Sequence, residues 1–255
     1  MNEPADQGPE PAPAPPSAPT AERPRLVDLS HTIRTGMPIY PGLPAPLVED
    51  HMPFEASRTH YDPGVEFRIG RMELVGNTGT YLDAPGHRVR GGADIGGLDL
   101  SSVADLPAVV IRVPVEEGRG VDRVRLEAAL GGAGADRKRG GRTPLDKVAV
   151  LVHTGWDRRW GTLDYFHGHP FLTGEAAETL RNAGAALVGM DTLNVDDTTD
   201  GARPVHTLLL GAGIPIVENL TRLGDLPDRG FFFSAVPATV AGMTSFPVRA
   251  WARMG

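Results

Sequence analysis

Gly76-Asn77-Thr78-Gly79-Thr80-Tyr81-Leu82-Asp83-Ala84-Pro85-Gly86-His87-Arg88 is the stretch on which the reading of this chain turns. It follows the apolar run Met72-Glu73-Leu74-Val75, which predicts a strand that runs on into a site. Side chains alternate faces along an extended chain, so Asn77, Gly79, Tyr81 and Asp83 would share one face, left open in its middle by Gly79. Pro85 cannot donate to a ladder and restricts Ala84 before it, so the strand is expected to bend there and return His87 toward Asp83. A carboxylate and an imidazole would then share one pocket.

Outward from this stretch, the chain reads as alternating strands and helices. Upstream, residues 1–24 are rich in Pro and Ala with almost nothing to bury, which predicts a solvated, polyproline-like tail. The fold is expected to occupy 25–255, starting with a strand over Leu26-Val27-Asp28-Leu29-Ser30. A loop through Gly36–Gly42 follows, in which Pro38 and Pro41 stiffen the backbone on either side of Tyr40. His51 and His60 lie in a mixed polar segment and are expected to face solvent. Downstream, Ala108–Ile111 and Val148–Val152 read as buried strands, and His153 at the end of the second reads as structural. Val121–Leu130, with Val121, Val124 and Ala128 at helical spacing, predicts a short amphipathic helix, and Gly131–Thr143 a surface loop. Thr173 can cap a helix over Gly174–Ala183, stopped by Gly184 and followed by a strand at Ala186–Met190. Strand, helix, strand is the crossover unit of a parallel or mixed sheet, so a mixed α/β fold is expected. Glu218 continues the apolar run Ile214–Val217, and an ionised carboxylate buried there requires a partner, a metal or an arginine.

Composition removes several function classes. A net charge of -7 argues against a nucleic-acid partner, which would draw on concentrated Lys and Arg. The absence of cysteine rules out disulfides, thiolate metal sites and cysteine nucleophiles. No apolar run approaches a membrane span and no secretory signal opens the chain, so no membrane partner and a cytoplasmic location are expected. No strand-to-helix serine elbow or phosphate-binding glycine loop is evident.

The Gly76–Arg88 stretch resembles the signature of the cyclase family that includes kynurenine formamidase and isatin hydrolase, His-x-Gly-Thr-His-x-Asp-x-Pro-x-His. Gly79, Thr80, Asp83, Pro85 and His87 match, whereas Asn77 and Tyr81 stand where the family has histidines. The Leu-Ser segment, the Tyr40-Pro41-Gly42 loop, Thr154-Gly155-Trp156-Asp157, His206 before a leucine-rich turn, Val217-Glu218 and Pro247–Ala250 extend the likeness from about Leu26 to Ala250.

The resemblance implies a single-domain, mixed-sheet swivelling β/β/α-type fold, a homodimer, and a small-molecule substrate. It implies one divalent ion, zinc or manganese, held by Asp83, His206 and Glu218, with His87 moving protons. Asn77 and Tyr81 replace two ligands of a second ion, and with Tyr40 they are candidates for gripping substrate. The implied activity is metal-dependent hydrolysis of a small amide, lactam or ester, such as N-formylkynurenine in tryptophan catabolism. Two alternatives stand beside it: a polyketide-type cyclase or dehydratase using His87 acid–base chemistry, and a non-catalytic binding protein that has lost its metal.

Overall fold

The computed structural model describes residues 24–114, 118–132 and 145–255. The proline-rich tail, apart from Pro24, and most of the predicted Gly131–Thr143 loop lie outside the described residues. The strands are β1 Leu26–Asp28, β2 Leu47–Met52, β3 Ile69–Glu73, β4 Tyr81–Asp83, β5 Leu106–Arg112, β6 Gly120–Val121 and β7 Ala149–His153. They continue with β8 Phe171–Leu172, β9 Leu187–Met190, β10 Ile216–Glu218, β11 Phe231–Ser234, β12 Ser245–Pro247 and β13 Trp251–Met254. The helices are α1 Phe54–Ser57, α2 Arg123–Gly132, α3 Gly174–Asn182 and α4 Pro204–Gly211.

Nine strands form one mixed sheet in the order β1-β13-β11-β5-β7-β9-β10-β4-β12. The neighbours from β5 to β10 run parallel, and the flanking pairs are antiparallel. The parallel centre explains why its strands are unbroken apolar runs, because both faces are covered. Val109, Ile111, Val150 and Val152 pack on one side with Leu126, Ala176, Leu180 and Leu209 from α2, α3 and α4. Ala108, Val110, Ala149 and Leu151 turn to the other side, against Leu82, Leu220 and Phe233. Gly189 lets these layers close up: a Cβ there would stand 2.6 Å from Leu220 Cδ1 and 2.9 Å from Leu151 Cδ2.

Two local expectations are corrected. Met72–Val75 does not lead the signature strand, because Ile69–Glu73 pairs with β2 as a separate exposed hairpin and only Tyr81–Asp83 enters the main sheet. The predicted face of Asn77, Gly79, Tyr81 and Asp83 therefore contracts to its last two members. The helix predicted at Val121 begins at Arg123, since Val121 is taken by the β6–β8 pair, and its buried contact is Leu126 while Val124 is exposed. The helix capped by Thr173 forms as expected, with the Thr173 hydroxyl accepting from the Ala176 amide at 3.3 Å. His51 and His60 are exposed.

Candidate active site

Strand β4 builds the site through its two neighbours. Tyr81 lies opposite Glu218 of β10, and Asp83 lies opposite Ser245 of β12, so two cross-strand pairs project to one side. The chain must pass close to β12 to enter β4, and Gly76 permits this: a Cβ would sit 2.2 Å from the Ser245 carbonyl oxygen. Thr80 fastens the start of the strand, donating its hydroxyl to the Asn219 carbonyl and accepting from the His31 amide. After Asp83, Pro85–His87 forms a tight 3-10 turn, so the bend required by Pro85 returns His87 Nδ1 to 3.8 Å from Asp83 Oδ1.

His206 is the hub. It sits in the first turn of α4, where the Asp196 carboxylate accepts from the Val205 and His206 amides at 2.8 and 3.0 Å and from His206 Nδ1 at 2.6 Å. That fixes the ring and turns Nε2 toward Asp83 Oδ2 and Glu218 Oε1, at 3.6 and 3.5 Å. Burial opposes charge on the imidazole, but the Asp196 hydrogen bond and the Asp83 and Glu218 carboxylates outweigh it and push its pKa up to about 10. Burial, aided by the charge of Asp83, raises Glu218 to about 7 despite His206 and the Tyr81 and Val195 hydrogen bonds. The site thus gathers negative charge around one ring. Asp83 Oδ2 is buried with no hydrogen-bond partner. An orphan carboxylate oxygen beside an imidazole nitrogen and a second carboxylate is what a divalent cation satisfies, and Asp83, His87 and His206 offer ligand atoms within 4.8 Å of one another.

Tyr81 is tied to Glu218, its phenol donating to Glu218 Oε2, and Asn77 lines the pocket beside it. Burial and the Glu218 and Asp83 charges hold the Tyr81 pKa well above its usual value, so the phenol keeps its proton. This pair fits a second ion poorly, because a protonated phenol donating to Glu218 and a neutral amide oxygen are weak ligands beside the imidazoles they replace.

On the other side, the Ser245 hydroxyl donates to Asp83 Oδ1 and stands 2.9 Å from His87 Nδ1. With its proton committed to the carboxylate, Ser245 accepts from Nδ1–H, which assigns the free lone pair of His87 to Nε2.

The pocket above these groups encloses about 300 Å³. Tyr40, Asn77, Tyr81, His87 and His206 line it, while Asp83 and Glu218 lie buried at its base. Arg88 and Arg203 also line it, Arg203 being held by the Asp197 carbonyl at 2.6 Å and the Tyr40 hydroxyl at 3.2 Å. Ser245, Asp196, Asn194 and the two arginines are the groups sequence reasoning passed over. A signal existed only for Asp196, a carboxylate in a short run shortly after a buried strand. Thr154, Gly155 and Trp156 line a second cavity with His153, at the end of β7, and the Trp156 ring also clusters with Tyr165 and with Tyr40 of the first pocket.

The family described as "Putative cyclase" matches residues 27–197. Kynurenine formamidase of Salinibacter ruber (strain DSM 13855 / M31) is 30% identical over 227 residues, 88% of this chain and 95% of the relative. Kynurenine formamidase of Erythrobacter litoralis (strain HTCC2594) is 26% identical over 217 residues, covering 85% and 88%. Among solved structures, isatin hydrolase A from Ralstonia solanacearum superposes with a TM-score of 0.75 at 26% identity, covering 91% of this chain and 92% of that one.

Proposed function

The chain belongs to the cyclase family, and from that premise we propose that it is an arylformamidase-like hydrolase of a C–N bond in a small amide or lactam. The observation that carries the reading is the buried Asp83 Oδ2, which accepts no hydrogen bond and faces His206 Nε2 beneath a pocket beside His87. Asp83, His206 and Glu218 are the residues that would hold one divalent ion, zinc or manganese. Such an ion supplies Lewis acidity, polarising an amide carbonyl and acidifying water.

The protein's own groups divide the remaining work. His87 Nε2, with Nδ1–H tied to Ser245, takes a proton from water and returns it to the leaving nitrogen. Asp196 keeps His206 in one orientation and tautomer, the role of a carboxylate behind a metal-ligating histidine. Tyr40 offers an aromatic face, and Arg88 and Arg203 offer guanidinium groups to an acidic substituent. Tyr81 holds Glu218 from the substrate side, and Asn77 lines the pocket beside it as a group for gripping substrate.

The same reading includes a homodimer, a cytoplasmic location and residues 25–255 working as one domain. The β2–β3 hairpin and its connection expose Val48, Phe54, Phe67, Ile69 and Met72, an apolar surface that a second copy would cover. No helix among the described residues is long and apolar enough to cross a membrane.

The test is hydrolysis of N-formylkynurenine and of isatin by the purified chain, alongside elemental analysis of the same sample. Turnover of either substrate with about one bound equivalent of metal supports the proposal. Bound metal with neither substrate cleaved would redirect it to His87-centred cyclisation, and no metal uptake would end it.

A further inference from the structure

The second cavity, about 470 Å³, opens where the parallel strands β5 and β7 end, and is lined by Arg112, His153, Thr154, Trp156, Arg158 and Arg159 among others. Crevices outside the carboxyl ends of parallel strands are where open α/β sheets take ligands. Among the described residues no carboxylate lines this one, although the chain as a whole carries a net charge of -7.

Its cations are positioned. Arg112 donates from Nε to Asp228 Oδ1 at 2.9 Å, from Nη2 to the Leu226 carbonyl at 2.6 Å, and from Nη1 to His153 Nδ1 at 3.1 Å. Arg159 lies over the Trp156 ring, 4.0 Å from its centroid. Arg158 packs against the left-handed turn at Gly155, where a Cβ would meet its Nη2 at 3.1 Å. Neither Arg158 nor Arg159 has an ion pair among the described residues.

A cation is the wrong occupant. His153, Asp157 and Asp191 each bring an atom within 4.8 Å of the others. However, Asp191 already accepts from the Thr154 and Gly155 amides and the Thr154 hydroxyl, at 2.7–3.0 Å. Asp157 Oδ2 accepts from the Thr221 hydroxyl and the Arg222 amide, and His153 Nδ1 from Arg112. The acids are spent on the loop beneath, and the guanidinium groups face the space.

We propose that this cavity is a binding site for a compact polyvalent anion, phosphoryl or polycarboxylate, separate from the catalytic pocket. Arg158 and Arg159 would clamp it with charge-assisted hydrogen bonds while Arg112 and His153 form its wall. The concave, one-signed lining concentrates such ligands. Occupancy would be felt at the active site, because Trp156 Nε1 donates to the Tyr165 carbonyl and the Tyr165 hydroxyl donates to Asn219, next to Glu218.

The test titrates the full chain with inorganic pyrophosphate and, separately, with citrate, reading heat of binding and the His153 imidazole resonances. Saturable shifts at His153 that weaken as salt rises are expected. Arg158→Gln and Arg159→Gln should each weaken binding about tenfold or more, the loss of one hydrogen bond to a charged group, without lowering basal turnover. Arg203→Gln, which alters only the catalytic pocket, should leave the His153 response intact. Pyrophosphate alone would identify a phosphoryl ligand; citrate as well would admit polycarboxylates. Unmoved His153 resonances with both anions, or wild-type affinity in the two arginine variants, would overturn the proposal.

Discussion

The two cavities pose the same elements in opposite surroundings. Each gathers histidine and aspartate ligand atoms within reach of one another, Asp83, His87 and His206 in one and His153, Asp157 and Asp191 in the other. In the first, buried carboxylates surround His206 and push its pKa up to about 10. In the second, burial, with Arg112 and Arg158 adding to it, holds His153 below its ordinary 6.5. The decisive difference lies in what else claims the oxygens: Asp83 Oδ2 accepts no hydrogen bond and faces only His206, whereas Asp191 is satisfied by its own loop. Proximity of ligand types alone therefore does not distinguish a metal site from a structural cluster; a carboxylate oxygen that accepts no hydrogen bond, as at Asp83, does.

Substitutions can break that contrast, the most severe first. Asp83→Ala should lose both bound metal and turnover, while Asp191→Ala should lower stability and leave metal content unchanged; elemental analysis of both proteins decides. His87→Ala should keep the metal and slow hydrolysis about 10²–10⁴-fold, the usual loss of a general acid–base group, read as kcat in single-substrate assays. Asp196→Asn removes only the orienting carboxylate behind His206. It should cost about 10–100-fold in metal affinity, measured by competition with a chelator.

The smallest effect belongs to the second cavity. A neutral buried His153 contributes stability that is present above pH 6.5 and is lost as the pH falls below it, because the unfolded chain takes up a proton that the folded one refuses. On acidification from about pH 7 to about pH 5, His153→Gln should therefore lose less melting temperature than the parent chain. His31, lowered to about 4 mainly by burial, and His169, also lowered mainly by burial, act in the same direction in both proteins, while Asp191 and Glu218, each raised to about 7 by burial, oppose it in both.

The parts of the molecule legible in its sequence are those where one local property decides. Ala108–Ile111, Val148–Val152 and Ala186–Met190 could be placed because strands covered on both faces are continuous apolar runs. Met72–Val75 misled because an exposed hairpin with apolar residues has the same short-range pattern as a core edge. In the site, the signature and its resemblance pointed to Asp83, His87, His206 and Glu218, and the structure brings these four together. Ser245 was invisible because its only link to Asp83 is the β4–β12 register, across 162 residues. Arg203 was invisible for a related reason: it reaches Tyr40 across 163 residues through a left-handed backbone turn that no spacing announces. His153 read as structural in the sequence, and it faces the arginine-lined cavity instead of the pocket.

The pairing of β4 between β10 and β12 also sets a clock. Loop-closure entropy delays contacts between distant segments, and the side chains that hydrogen-bond Tyr81 and Asp83, those of Glu218 and Ser245, come from more than a hundred positions away. During refolding, the parallel centre can form while the carboxylates remain apart. The capacity to capture an ion thus arises only when the last strands dock, so a metal-sensitive signal should lag behind the recovery of circular dichroism.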